Sequence, residues 1–133
     1  MRKGFALTLG AGLLTMTMAA SAAVVTFEFT GPGGHSLRAY GNTSALHAAA
    51  RAAMLVQKAV PEAVISDLNG GNSVNSIAAD ASFRVTLTGD AEKKLDQVKA
   101  AVQKGVDQEN AFRNVKKGDM VKGAPAEVQW KLK

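Results

Sequence analysis

The sequence predicts an α+β domain in which a four-stranded antiparallel sheet carries two helices on one face. Three observations predict it. Several segments alternate apolar and polar residues and read as half-buried strands. Two longer segments place apolar residues at helical spacing. Their order along the chain is β-α-β-β-α-β, which matches the ferredoxin-like sandwich, an arrangement that buries two helical stripes against one sheet face. The chain has 133 residues, 47% hydrophobic and 20% charged, enough for one such domain and not for two.

Each element has its own signal. In residues 24–30, Val25, Phe27 and Phe29 point one way while Thr26, Glu28 and Thr30 point the other. Gly31-Pro32-Gly33-Gly34 stops this strand, because proline has no N–H for a ladder and glycine favours turns. Asn42-Thr43-Ser44 supplies capping oxygens for a helix running to about residue 59. Leu46, Ala49, Ala50, Ala53, Val56 and Val60 form its narrow apolar stripe, with His47, Arg51 and Lys58 on the opposite side. Pro61 ends the helix, residues 63–69 read as a second strand, and Gly70-Gly71-Asn72 as a turn followed by irregular chain to Asp80.

Ala81, Phe83, Val85 and Leu87 then alternate with Ser82, Arg84, Thr86 and Thr88, the clearest strand in the sequence. Asp90 is expected to cap the second helix, with Glu92 in its first turn, where the macrodipole favours negative charge. Ala91, Leu95, Val98, Val102 and Val106 form its stripe, and Lys93, Lys94, Gln97 and Lys104 face away. Residues 107–125 read as a long polar connection. Residues 126–132 alternate again and give the fourth strand.

In this topology the second and fourth strands are the sheet edges, and an edge exposes unpaired backbone groups. The fourth is guarded by Lys131 and Lys133; the second has only Asp67. Val64, Ile65, Ser66 and Leu68 are therefore the expected pairing surface between subunits.

Composition narrows the function. The absence of cysteine excludes a disulfide framework, a thiol nucleophile and a cysteine zinc site. The net charge of +5 comes from 16 basic and 11 acidic residues spread along the chain, and aromatics are only 5%, so no basic stripe interleaved with aromatics marks a nucleic-acid binder. Residues 1–22 read as a secretory signal peptide: Met1-Arg2-Lys3 is a positive start, residues 5–20 are uncharged and mostly apolar, and Ala20-Ser21-Ala22 offers small residues for cleavage after Ala22. The alternative is an uncleaved anchor. The expectation is a periplasmic or secreted domain over residues 23–133, with no membrane contact after cleavage.

Few residues offer chemistry. His47 lies on a polar helix face, where a surface role is the plain reading. His35 follows a glycine-rich turn at the end of the first strand, and its imidazole N–H could stabilise developing negative charge on a substrate oxygen; the competing reading is a turn histidine bonded to local backbone. There is no His-x-Asp, no Glu-Glu pair and no acid close in sequence to orient His35 beside Ser36, so neither a dinuclear metal site nor a Ser-His-Asp set can be assembled from local sequence. The glycine pairs lack the lysine and spacing of a phosphate loop. No bound metal and no cofactor is expected.

The run Phe27-Glu28-Phe29-Thr30-Gly31-Pro32-Gly33-Gly34-His35-Ser36, followed by a helix and then Gly70-Gly71-Asn72-Ser73-Val74-Asn75-Ser76-Ile77, resembles the lid or dimerisation domain of the aminoacylase/carboxypeptidase G-type zinc peptidases (peptidase family M-twenty). The resemblance extends through the strand at 81–87, the helix after Asp90, Glu109-Asn110 and the last strand. It implies a homodimer formed through a helix and an edge strand. It also implies that His35 matches the lid histidine that reaches into a partner's active site, and Asn75 the asparagine that helps hold substrate. Thr86 and Thr88 stand where that family usually carries an acid and an arginine. The zinc ligands and general base of such enzymes belong to catalytic halves outside the lid. Three functions stay open: a non-catalytic dimerisation or binding module, an accessory subunit that lends His35 and Asn75 to a full-length zinc peptidase, and a folded remnant without selected activity.

Overall fold

The computed structural model describes residues 22–133, so the expected signal peptide lies outside the described residues except for Ala22, where the first strand begins. The elements are β1 (Ala22–Thr30), β2 (Gly34–His35), α1 (Ala45–Ala59), β3 (Val64–Gly70), β4 (Ser76–Ile77) and β5 (Asp80–Thr88). A 3₁₀ turn (Gly89–Lys94) follows, then α2 (Leu95–Phe112), β6 (Met120–Val121), β7 (Ala124–Pro125) and β8 (Gln129–Leu132).

The main sheet has the order β3-β5-β1-β8 with every neighbour antiparallel, and the two helices cover one face. This is the ferredoxin-like order, with β3 and β8 at the edges. Its centre follows from alternation. β1 and β5 pair along their whole length, from Ala22 opposite Thr88 to Thr30 opposite Asp80. Their inward residues Phe27, Phe29, Phe83, Val85 and Leu87 are all buried. Tilted ring contacts link Phe27 to Phe83 and Trp130, and Phe29 to Phe83, with centroids 5.5–5.6 Å apart, the offset geometry aromatic rings prefer.

The helix layer is held by small residues. α1 buries Ala45, Ala48, Ala49, Ala52, Ala53 and Val56, whereas Leu46 and Ala50, expected in the stripe, are only half-buried. Ala45, Ala48, Ala49, Ala50, Ala52 and Ala53 fit more than one boundary of the apolar face, so packing against α2 chooses it. The contact that chooses it is Gly105: a Cβ there would lie 2.5 Å from the Cα and N of Ala52. The helices therefore cross backbone to backbone at that point.

Other expectations need correction. Asp90 does not cap α2; it lies in the 3₁₀ turn, whose N-cap Thr88 makes no side-chain cap bond, and α2 proper starts after Lys94. Here Lys94 donates to Glu62 at 2.8 Å, and that bond holds the Glu62 carboxyl below its ordinary range. Residues 107–125 are not one polar connection. α2 continues to Phe112, because Glu109 is buried and bonded there, and residues 120–125 form a short hairpin of β6 and β7. The fourth strand starts at Gln129 instead of 126; Ala126 and Val128 are buried before the ladder begins. The Val128 backbone pairs with the Asn110 side chain, which accepts its N–H at 2.8 Å and donates to its carbonyl at 3.4 Å.

Gly105→Ala is expected to destabilise the domain by about 2 kcal/mol in urea unfolding. The overpacking strain of about 1–3 kcal/mol outweighs the helix propensity of about 1 kcal/mol that alanine adds. Ala52→Gly should not rescue it, since the nearest colliding atoms are main chain. A midpoint equal to or above the parent's would show that the helices do not meet there.

Candidate functional site

After β1 the chain reverses at two glycines. Gly33 has φ 68° and Gly34 φ 125°, values that side chains resist. A Cβ on Gly33 would lie 2.8 Å from that of Ala79, and one on Gly34 2.5 Å from that of Ala39. The reversal lets β2 pair with β4, Gly34 opposite Ile77 and His35 opposite Ser76. Ser36 N–H then donates to the Asn75 carbonyl at 2.9 Å. The segments carrying His35 and Asn75 thus become one ridge, and both residues are exposed on it.

His35 is oriented by its own turn. Leu37 N–H donates to His35 Nδ1 at 3.2 Å, which requires Nδ1 to be unprotonated and places the proton of the neutral ring on Nε2. The local backbone bond and the donor role are therefore compatible, since one nitrogen serves each. Asn75 Oδ1 accepts from Ser73 Oγ at 3.0 Å, and Ser76 Oγ donates to Asn72 Oδ1 at 3.0 Å, so the 72–76 turn is cross-braced.

Between this ridge and the start of α1 lies a cleft of about 570 Å³, lined by Ser36, Tyr40, Asn42, His47, Asn72 and Arg113 among others. Four bonds pin its floor. Ala45 N–H donates to the Ala78 carbonyl at 2.9 Å. The buried Thr43 hydroxyl donates to the Ala126 carbonyl at 2.6 Å. Ser44, the N-cap, accepts from His47 N–H at 3.2 Å and donates its own N–H to Glu109 Oε2 at 3.0 Å.

Glu109 is fully buried and serves both helices. Its Oε1 accepts from Arg51 Nε at 3.1 Å and its Oε2 from Arg113 Nε at 3.4 Å. Arg51, expected on the solvent face, is partly drawn in by this acid. Both guanidiniums also lie over the exposed ring of Phe112, 5.1 and 5.0 Å from its centroid. A sequence signal for Glu109 existed: it continues the Val98, Val102, Val106 stripe of α2 at helical spacing, and an acid on an apolar stripe marks a buried, paired charge.

Other expected residues lie elsewhere. Thr88 pairs with Ala22 while Asp80 pairs with Thr30 beside the His35 turn, so Thr88 stands about 26 Å from that turn at roughly 3.3 Å per residue. Val64 and Leu68 are exposed on β3, Ile65 faces the core and Ser66 is half-buried. A bulge between Ser66 and Asn69, with Asp67 at φ 56°, limits the straight part of that edge. Among the described residues no three of His, Cys, Asp and Glu gather where they could hold a metal.

A family model described as a peptidase dimerisation domain matches residues 18–114 of this chain. No curated protein matches it. Among solved structures, the chain is similar to an amidase of the hydantoinase/carbamoylase family from Burkholderia multivorans. The identity is 21% and the TM-score 0.58, with 84% of this chain and 26% of that one covered. It is also similar to an aminobenzoyl-glutamate utilization protein from Klebsiella pneumoniae, at 18% identity and a TM-score of 0.55, covering 84% of this chain and 27% of that one. At these identities the likeness is one of fold. The chain spans about a quarter of the length of these solved proteins.

Removing the buried acid tests the network beneath the cleft. Glu109→Ala is expected to cost about 3–5 kcal/mol in thermal or urea unfolding, because two guanidiniums and the Ser44 N–H lose their shared acceptor. Combining it with Arg51→Ala should cost less than the sum of the two changes. Strict additivity would mean the two groups do not interact.

Proposed function

We propose, from the premise that this chain belongs to the peptidase dimerisation domain family, that it works as an exported, non-catalytic module whose task is to join protein chains. The observation that carries this reading is the free edge of the sheet. Among the described residues β3 has no partner on its outer side, and it leaves Val64 59% and Leu68 44% exposed. Beside it, Met54 of α1 is 73% exposed, and the two elements enclose a groove of about 460 Å³ lined by Ala50, Ala53, Met54, Ile65, Ser66 and Leu68 among others. A helix and an edge strand with apolar residues at their junction suit isologous pairing with a second copy, strand beside strand. The partner is a second copy of the chain or the matching domain of a zinc peptidase. Neither nucleic acid nor a membrane is proposed as a partner of residues 23–133. Among the described residues no helix is long and apolar enough to cross a membrane.

A second reading makes the domain an accessory to an enzyme. Its support is the ridge, where an exposed imidazole with Nε2 free to donate stands next to Asn75, two hydrogen-bonding groups exposed to solvent. Such a donor polarises a carbonyl held by another subunit. On this reading the chain has no hydrolase activity alone.

Light scattering of the purified chain across a dilution series separates these readings. A dimer that persists at low micromolar concentration, and that Val64→Asp with Leu68→Asp converts to a folded monomer, supports the module. A parent that is monomeric throughout sinks the homodimer. For the accessory reading, co-expression with a full-length zinc peptidase of the same compartment should raise hydrolysis, and His35→Ala should lower that activity by about 10²-fold with the assembly mass unchanged. Undiminished activity of the His35→Ala complex would reject it.

A further inference from the structure

A second cleft, of about 390 Å³, lies between the His35 turn and the β6–β7 hairpin. His35, Arg38, Asn42 and Lys122 line it together with Gly33 and Gly34, and among the described residues no acidic side chain lines it. Asp119, the acid of the same loop, is engaged by the Lys116 N–H at 2.8 Å. Arg38 and Lys122 both line this one concave space, and an anion between them is attracted by both.

The backbone around the cleft is fixed where these groups leave it. The turn bearing Arg38 is closed by Ala39 N–H to the His35 carbonyl at 2.8 Å and Asn42 N–H to the Ala39 carbonyl at 3.0 Å. The Asn42 amide then donates to the Gly33 carbonyl at 3.0 Å. On the other wall, Met120 pairs with Pro125 and Val121 with Ala124, so Lys122 and Gly123 are the central residues of a tight hairpin. Both have positive φ, 48° and 83°, as in a type I′ turn, where Asn or Gly is favoured first and a lysine is strained. The hairpin base is tied down by Ala126 N–H to the Asp119 carbonyl at 2.8 Å and by the buried Thr43 hydroxyl to the Ala126 carbonyl. The strained position thus carries a cation to the cleft.

We infer that this cleft binds a compact dianionic oxyanion, a phosphate group or a short dicarboxylate, between Arg38 and Lys122, with His35 Nε2–H donating to a further oxygen. Arg38 supplies the planar fork that matches two oxygens at once, Lys122 a point charge, and His35 an Nε2–H donor oriented by its Leu37 contact. The site is complete within one protomer, so it stands or falls separately from dimerisation. Lys122 also lies beyond residue 114, where the family match ends.

The test is an amide NMR titration of the whole labelled chain at constant ionic strength, with inorganic phosphate, succinate and acetate as probes. Saturable shifts at Gly33, Gly34, Arg38 and Lys122 with phosphate or succinate are expected, and about tenfold weaker binding of acetate. Whichever dianion binds tighter assigns the source. Lys122→Asn separates ligand binding from structure: the favoured turn residue should raise the melting temperature while weakening dianion binding about tenfold. Arg38→Gln should weaken binding similarly, and Lys131→Gln on β8 should leave it unchanged. Shifts that follow ionic strength alone, or a Lys122→Asn chain that binds as tightly as the parent, would overturn the inference.

Discussion

One buried carboxylate holds the architecture in register. Glu109 sits near the end of α2 with no solvent contact, and it caps nothing on its own helix. It accepts from the N-terminal backbone of α1 at Ser44 and from the guanidiniums of Arg51 and Arg113. A charge taken out of water is tolerable only if its lone pairs are met by donors, and here they are met from both helices. Sliding α1 against α2 would break two bonds to one group, those from Ser44 and Arg51. The Gly105–Ala52 crossing adds a steric condition to this electrostatic one, since only a glycine lets the two backbones come so close.

The functional end of the molecule hangs from that anchor. The residue before Ser44, Thr43, holds the chain leading into β8, and the residue after it, Ala45, holds the segment leading into β5. From the same corner Asn42 reaches the glycine reversal that carries His35. The ridge of His35 and Asn75, and the clefts on its two sides, are therefore built by short local contacts on a rigid base. By contrast, β3 at the sheet edge is braced mainly from one side. Its ion pair, Asp67 with Arg84 at 3.3 Å, is well exposed on both partners and contributes little. The molecule thus has a stiff end that presents hydrogen-bonding groups and an open edge that presents backbone and apolar side chains.

How much of this was legible in the chain depended on whether a signal was periodic or positional. Strands β1 and β5 were plain because Phe, Val and Leu alternate with Thr, Ser and Arg without interruption. The edge position of β3 followed from element order alone. The face of α1 was blurred, because a run of alanines fits several faces equally, and packing on Gly105 settled it. The end of α2 was placed too early because Asp107, Gln108, Glu109 and Asn110 read as solvent-facing; Glu109 is buried and Asn110 substitutes for a strand partner of Val128. The β6–β7 hairpin was hidden because its turn begins with a lysine where asparagine or glycine is the usual cue.

By itself the sequence determined the fold class, the sheet order, the edge strand and the glycine reversal beside His35, because each rests on local periodicity or on backbone freedom carried by a few neighbouring residues. Tertiary structure alone decided the rest: which donors meet Glu109, that Gly105 sets the helix spacing, that Asn75 comes to lie beside His35, and that Arg38 and Lys122 face one cleft. Each of those depends on contact between segments far apart in the chain. Which distant polar groups meet is decided by burial and geometry, and no local pattern records it.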